Sequence, residues 1–396
     1  MGIFLNLNKS VYANCKSYVY KSGGHSLLDN IFDAYWNLCI KLVPKSVTAN
    51  FLTLLGFLCS TVAFFLLYLF DLSNKKNDYI YLYIAFFLFL YQTFDALDGK
   101  QARRTNTSSP LGQLFDHGCD SITSSLFIFI AGKGASIPKG LLFFLLLSAV
   151  QLQTFMFSWM ENYTKVYNTS MGSMGLTESH VMVITVCILR GLKGAALFDK
   201  TTLKDLLPGS LRSLFGKAVL SIKLNHLIVI PVFFFLILTI ARSTYMGLQT
   251  AKKKRKEATI QLVFFYIFML LQYYFYHTTL TVKNELICYI IIALFSAFYT
   301  LHMNMSTVLK TKMDSFPIPI IFYYLCIILL FMKRRFNHHI LKMAVFNEAY
   351  ILYYMMVFGF VYLFDYAYTI IGNICKELNI TFLFNKKKKI MGAKWA

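Results

Sequence analysis

The sequence predicts an all-α polytopic membrane protein of about ten transmembrane helices, preceded by an N-terminal interfacial amphipathic helix. Three observations carry that expectation. Hydrophobic residues make up 57% of the 396 and charged residues only 14%, a balance that ordinary soluble domains do not show. The apolar residues are gathered in runs close to the ~20 residues needed to cross hydrocarbon, where each backbone polar group must be bonded within its own segment and a helix is the form that does so. The net charge of +21 is left to loops and tails. There it suits an anionic membrane face, and with no nucleic-acid-binding motif breaking the apolar runs, nucleic acid is not expected as a partner.

Residues 1–50 read as a cytosolic N-terminal segment with no run long enough to span. Tyr35 and Trp36, among the apolar residues of 26–43, suggest a helix lying on the membrane surface. The segment has no apolar core followed by a small-residue cleavage site, and Asn6 stands where a myristoylation signal needs Ser or Thr. Targeting therefore falls to the first span. Spans are expected at 51–70, 79–97, 113–132, 140–160, 176–198, 224–246, 260–276, 285–305, 316–332 and 347–372, which makes 51–372 one transmembrane domain and 373–396 a basic cytosolic tail. An even count puts both tails on one side. The lysine-rich stretches 252–256 and 386–389 make that side cytosolic. The basic stretch 190–223 falls on the other face and is discounted, because long loops cross largely regardless of charge. The eight cysteines include no Cys-x2-Cys pair and read as reduced and mostly buried, with no disulfide framework and no zinc site.

The chemistry is concentrated between Asp95 and Asp120. Asp95 and Asp98 are three apart at the end of one span, and Asp116 and Asp120 are four apart at the start of the next. On helices these spacings put both members of a pair on one face. The intervening turn offers Ser or Thr as a cap and Pro110 at a first helical position, so two antiparallel helices can bring all four carboxylates together. Converging carboxylates at a membrane edge need cations. Oxygen-only ligands, without a nearby Cys or His pair, point to two Mg²⁺ or Mn²⁺ ions held by Asp95, Asp98, Asp116 and Asp120, clamping a pyrophosphate. Gly99 and Gly112 allow close approach of backbone or phosphate, Ala102 keeps the same face clear, and Arg103 can pair with a phosphate oxygen. Together these residues read as a substrate-binding set.

The pattern Asp-x2-Asp-Gly-x2-Ala-Arg-x8-Gly-x3-Asp-x3-Asp resembles the signature of the CDP-alcohol phosphotransferase family. Residues 98–121 resemble its choline/ethanolamine phosphotransferase branch, and 20–56, WMENY followed by GLTES, Tyr350, Asp365 and ICKELNI extend the likeness along most of the chain. The resemblance implies transfer of a phospho-alcohol from CDP-choline or CDP-ethanolamine to diacylglycerol, with CMP leaving, in the endoplasmic reticulum or Golgi membrane. It implies a site at the cytosolic edge, where membrane lipids and a soluble nucleotide both arrive, and a homodimer as the family's common assembly. By the same resemblance Asn50 helps bind the donor nucleotide, and Glu178, more than Glu161, matches an acid near the active site.

His117, Asp120 and Glu178 are the catalytic candidates. A carboxylate bound to two cations is a weakened proton acceptor, which favours His117 as general base over Asp120, with Glu178 orienting it. Trp159, Tyr163 and Glu161 are expected around the head group, where a quaternary ammonium needs only aromatic faces and a diffuse acidic field. His302 reads as a buried histidine with its hydrogen bonds satisfied. A transporter would also suit ten spans and intramembrane acids, but it more often shows internal repeats and acids at the midplane. By the same family resemblance, relatives that use inositol or glycerol phosphate usually have shorter chains, so the length argues against those alcohols.

Overall fold

The computed structural model describes residues 3–4, 7–71, 77–170, 174–279, 284–335 and 347–384. Among them there are helices and isolated bridges but no strand. The long helices are α1 (Leu27–Leu42), α2 (Ala49–Asp71), α3 (Ile80–Thr105), α4 (Pro110–Gly134), α5 (Leu141–Thr164), α6 (Leu176–Lys193), α7 (Leu224–Ala251), α8 (Arg255–Thr279), α9 (Glu285–Val308), α10 (Ile318–Arg335) and α11 (Glu348–Leu378). Each of the ten apolar runs forms one of α2–α11. Among the described residues six segments are long and apolar enough to cross a membrane, against the ten spans expected; α4, α6 and α10 are not among them, and one, the 56-residue Leu224–Thr279, holds both α7 and α8. The chain is an all-α polytopic integral membrane protein.

Local chemistry sets the helix ends. Ser26 and Asp29 form a capping box at the start of α1. Asn106 ends α3 in the left-handed region at φ 55°, where its amide reaches back to the carbonyls of Ala102 and Arg103. Ser109 then caps α4 by accepting from the Gly112 amide, with Pro110 at the first helical position as expected.

The amphipathic helix α1 has two apolar faces rather than one. Trp36 and Ile40 point inward and pack with Leu52 of α2 and Leu97 of α3, so Trp36 is not the interfacial anchor that the sequence suggested. Leu27, Ile31, Leu38 and Leu42 share a second stripe at helical spacing, each more than half exposed. That stripe is the one free to meet lipid.

Around this frame α4 packs against α2, α5, α6 and α9, and α9 is buried over most of its length. The core closes through small residues that admit rings. A Cβ added at Gly247 of α7 would stand 2.1 Å from the Trp159 ring, which is fully buried. Alanine gains at most about 1 kcal/mol of helix propensity over glycine, whereas forcing a packed indole aside costs about 1–3 kcal/mol. Gly247→Ala is therefore expected to lower the thermal midpoint, and an unchanged or raised midpoint in a melting experiment would contradict this packing.

One end of the bundle gathers the parts that the even span count puts on one side. Gln113 of α4 donates to Glu161 of α5, and Glu161 lines a cavity with Lys254 of the α7–α8 corner and Lys310 beyond α9. Asn50 at the start of α2 donates to the carbonyl of Phe382, which follows α11. The stretch 190–223 forms short helical turns at the other end, where Arg190 pairs with Asp78 at 2.8 Å. The lysines 386–389 and Asn6 lie outside the described residues. All eight cysteines are free.

Candidate active site

Helices α3 and α4 run antiparallel through a turn of only 106–109, so the end of one carboxylate pair faces the start of the other. Asp95, Asp116 and Asp120 each offer a carboxylate oxygen within 4.8 Å of the others. The fourth acid sits slightly apart. Asp98 is buried beside Asp116 but accepts a 2.6 Å hydrogen bond from the Thr53 hydroxyl of α2. Asp95, which lies farthest up the span, is thus inside the trio, while Asp98 is held toward α2.

These residues fit a divalent cation on an observation independent of their sequence pattern. Asp116 Oδ1 is buried and has no hydrogen-bond partner among the described residues. A buried carboxylate oxygen left without a donor is costly, and a cation beside two further carboxylates is what satisfies it. Asp120 keeps one oxygen on the Tyr91 hydroxyl at 2.8 Å, which orients the carboxylate as a second contact orients a metal ligand.

Two glycines of the motif each adjoin another candidate substrate-binding residue. A Cβ at Gly112 would meet Asn50 Oδ1 at 3.4 Å, so Asn50 and Gly112 adjoin across α2 and α4. Asn50 donates its amide to Phe382 and leaves Oδ1 directed at Gly112. At Gly99 the nearest atom to an added Cβ is a guanidinium nitrogen of Arg103 at 3.4 Å, so Arg103 folds back along α3 with its head group exposed. Ala102 is half-buried on the same helix.

His117 is buried and stacks on Tyr167 with ring centroids 3.9 Å apart, while Tyr20 meets its edge at 6.0 Å. Both tyrosines face the acids. Burial, then the charge of Asp120, pushes the Tyr167 phenol well above its ordinary value, and Tyr20 lies in the field of Asp116, Glu161 and Asp120. A phenol held protonated in this way remains a hydrogen-bond donor at any working pH.

Three expectations are corrected here. Glu178 does not orient His117, because its oxygens accept from the backbone amides of Gly175 at 2.8 Å and Leu28 at 2.7 Å, capping α6 and tying it to α1. Trp159 does not face the acids but fills the space over Gly247, edge-on to Tyr163. Tyr163 points to Gln261 of α8 at 2.8 Å. Of the expected head-group residues, Glu161 remains beside the site, accepting from Tyr18 and Gln113. The aromatic wall that sequence reasoning missed is Tyr18, Tyr20 and Tyr167. It is built by two irregular stretches, with the Gly23 amide donating to the Tyr167 carbonyl at 2.6 Å and the Tyr167 amide to the Lys21 carbonyl at 2.9 Å. His302 is satisfied by the Tyr362 hydroxyl at 3.0 Å, as read from the sequence.

Residues 46–207, which contain all four acids, Asn50, His117 and Tyr167, match the family described as CDP-alcohol phosphatidyltransferase. The chain carries a CDP-alcohol phosphatidyltransferase domain. It is similar to cholinephosphotransferase 1 of Xenopus laevis, 36% identical over 46% of this chain and 45% of the relative. It is also similar to choline/ethanolaminephosphotransferase 2 of Arabidopsis thaliana, 39% identical over 35% of this chain and 36% of the relative. These matches span about half or less of the relatives' length. An uncharacterised class-I family protein 1 of Dictyostelium discoideum is similar at 27% identity over 96% of this chain and 97% of its own length. The matched residues run from just before α2 to beyond α6 and include the acids, the Asn50–Gly112 contact and Tyr167.

Proposed function

We propose that this chain transfers phosphocholine or phosphoethanolamine from CDP-choline or CDP-ethanolamine to diacylglycerol, releasing CMP, at the cytosolic face of the endoplasmic reticulum or Golgi membrane. The observation that carries the reading is the convergence of Asp95, Asp116 and Asp120 within 4.8 Å, on two helices of a membrane bundle. With Asp98, they would hold two Mg²⁺ or Mn²⁺ ions, which supply positive charge against the donor pyrophosphate.

The chain's own residues account for the remaining work. Asn50 and Gly112 form the edge on which the nucleotide rests, and Arg103, exposed beside Gly99, pairs with a phosphate oxygen. The acceptor hydroxyl oxygen attacks the phosphorus that bears the alcohol. The bond from that phosphorus to the CMP oxygen breaks, and the hydroxyl proton passes to His117, whose ring is fixed against Tyr167. Catalysis here is mainly positioning and charge stabilisation. Tyr18, Tyr20, Tyr167 and Glu161 give the head group aromatic faces and one acid, a lining that does not distinguish a quaternary from a primary ammonium sharply.

Both donors are therefore expected to turn over when the purified protein is assayed with CDP-choline and CDP-ethanolamine at equal concentration. Strict use of one would refute the relaxed pocket. Turnover of neither, with diacylglycerol present, would refute the assignment itself.

A further inference from the structure

A cavity of about 580 Å³ whose lining includes none of the aspartates opens among four separate parts of the chain. Its lining includes Lys21 of the N-terminal stretch, Lys165 at the end of α5, Lys254 at the α7–α8 corner, and Lys310 and Lys312 beyond α9. Two glutamates line it as well. Glu161 is committed to Tyr18 and Gln113, and Glu257 leaves the lining three positive charges in excess, five lysines less two glutamates.

None of the five lysines makes an ion pair among the described residues: Lys310 donates to the Ser17 carbonyl at 3.0 Å and hydroxyl at 2.7 Å, and Lys165 to the Asn162 carbonyl at 2.6 Å, neutral acceptors that leave both charges uncompensated. Lys165 and Lys310 adopt left-handed backbone at φ 62° and 52°, a conformation that L side chains rarely take. Helix C-termini attract a lysine each, but that attraction does not explain why lysines from four segments converge on one space. Partial desolvation, then the charge of Lys254, pulls the Lys165 ammonium below its ordinary value, with Lys310 adding to it and Glu161 opposing. Like charges gathered around a cavity of this size are relieved by an anion.

We propose that this cavity is a binding site for a phosphate-bearing anion, separate from the aspartate cluster, with Lys165, Lys254 and Lys310 as its principal contacts. The proposal does not rest on the transferase reading. A phosphorylated lipid head group and a soluble phosphate present the same chemistry to lysine ammonium groups, so the test must separate the two sources.

The full chain is reconstituted in phosphatidylcholine nanodiscs and titrated in EDTA with radiolabelled inorganic phosphate, and in parallel its melting is compared in nanodiscs with and without phosphatidic acid. Wild type is expected to bind the phosphate, or to melt higher with phosphatidic acid, or both; the arm that responds identifies the source. Lys165→Gln, Lys254→Gln and Lys310→Gln are each expected to weaken binding about tenfold, the loss of one charge-assisted hydrogen bond. A control with Lys9→Gln, Lys41→Gln and Lys376→Gln, three exposed lysines outside the cavity, should bind as wild type. If a cavity variant does not fold, Lys312→Gln at the rim replaces it with the same expectation. The site is overturned if wild type responds in neither arm, if the control loses as much as the cavity variants, or if phosphate binding needs a divalent cation, which would place the anion on the aspartates.

Discussion

Asp116→Asn is expected to remove turnover almost completely while leaving the cation-free protein at least as stable as wild type. The two effects have one cause. Asp95, Asp116 and Asp120 bring carboxylate oxygens within 4.8 Å, and Asp116 Oδ1 has no hydrogen-bond donor among the described residues. Without a cation the group carries like charges in a poorly solvated place, so removing one relieves repulsion. With a cation the same carboxylate is a ligand, and losing several kcal/mol of charge stabilisation corresponds to about 10³-fold or more in rate. Turnover and melting, each measured with and without Mg²⁺, separate the two. Wild type should melt higher with Mg²⁺ and the variant should not. Wild-type rates persisting in EDTA would sink the metal assignment.

His117→Ala is expected to lower turnover by about 10²-fold, the usual contribution of a general base, while Mg²⁺ and nucleotide binding survive. The ring is buried against Tyr167 at 3.9 Å and edged by Tyr20, so its truncation also removes a stacked pair worth about 0.5–1.5 kcal/mol of stability. A merely structural role would appear as a lower melting point with normal turnover. Partial recovery of rate on adding imidazole would mark the lost group as a proton acceptor. If His117→Ala turns over normally while Asp120→Asn binds Mg²⁺ and CDP-choline but is inactive, the role belongs to Asp120.

The helices and the acids were legible because both are periodic. Each apolar run became a helix, and the spacings of three and four brought together three of the four expected acids, Asp95, Asp116 and Asp120, with Asp98 held toward Thr53. The aromatic wall was not legible, since Tyr18 and Tyr20 come from extended chain before α1 and Tyr167 from the turn after α5, where no repeat fixes a direction. Trp159 was misplaced for another reason. Its neighbours in sequence carry the family likeness, but its direction is decided by Gly247, 88 residues away, whose missing side chain leaves room for the indole. Glu178 did leave a signal in the sequence. It follows Gly175 by three residues at the start of an apolar run, the spacing of a helix cap, and the structure uses it as one.

The short stretch after α11 has a consequence for how the protein is made. Phe382 accepts from both Thr48 and Asn50, and its ring meets Phe115 edge-on at 4.9 Å. Chains fold from the N-terminus as they are synthesised. The acids of α3 and α4 are thus in the bilayer long before residue 382 leaves the ribosome. Until it does, Thr48 and Asn50 lack that acceptor, and the Asn50–Gly112 contact is without its support from the C-terminal stretch. A ribosome stalled within α11 would hold a nascent chain with its aspartate helices inserted and Thr48 and Asn50 still without their partner at Phe382.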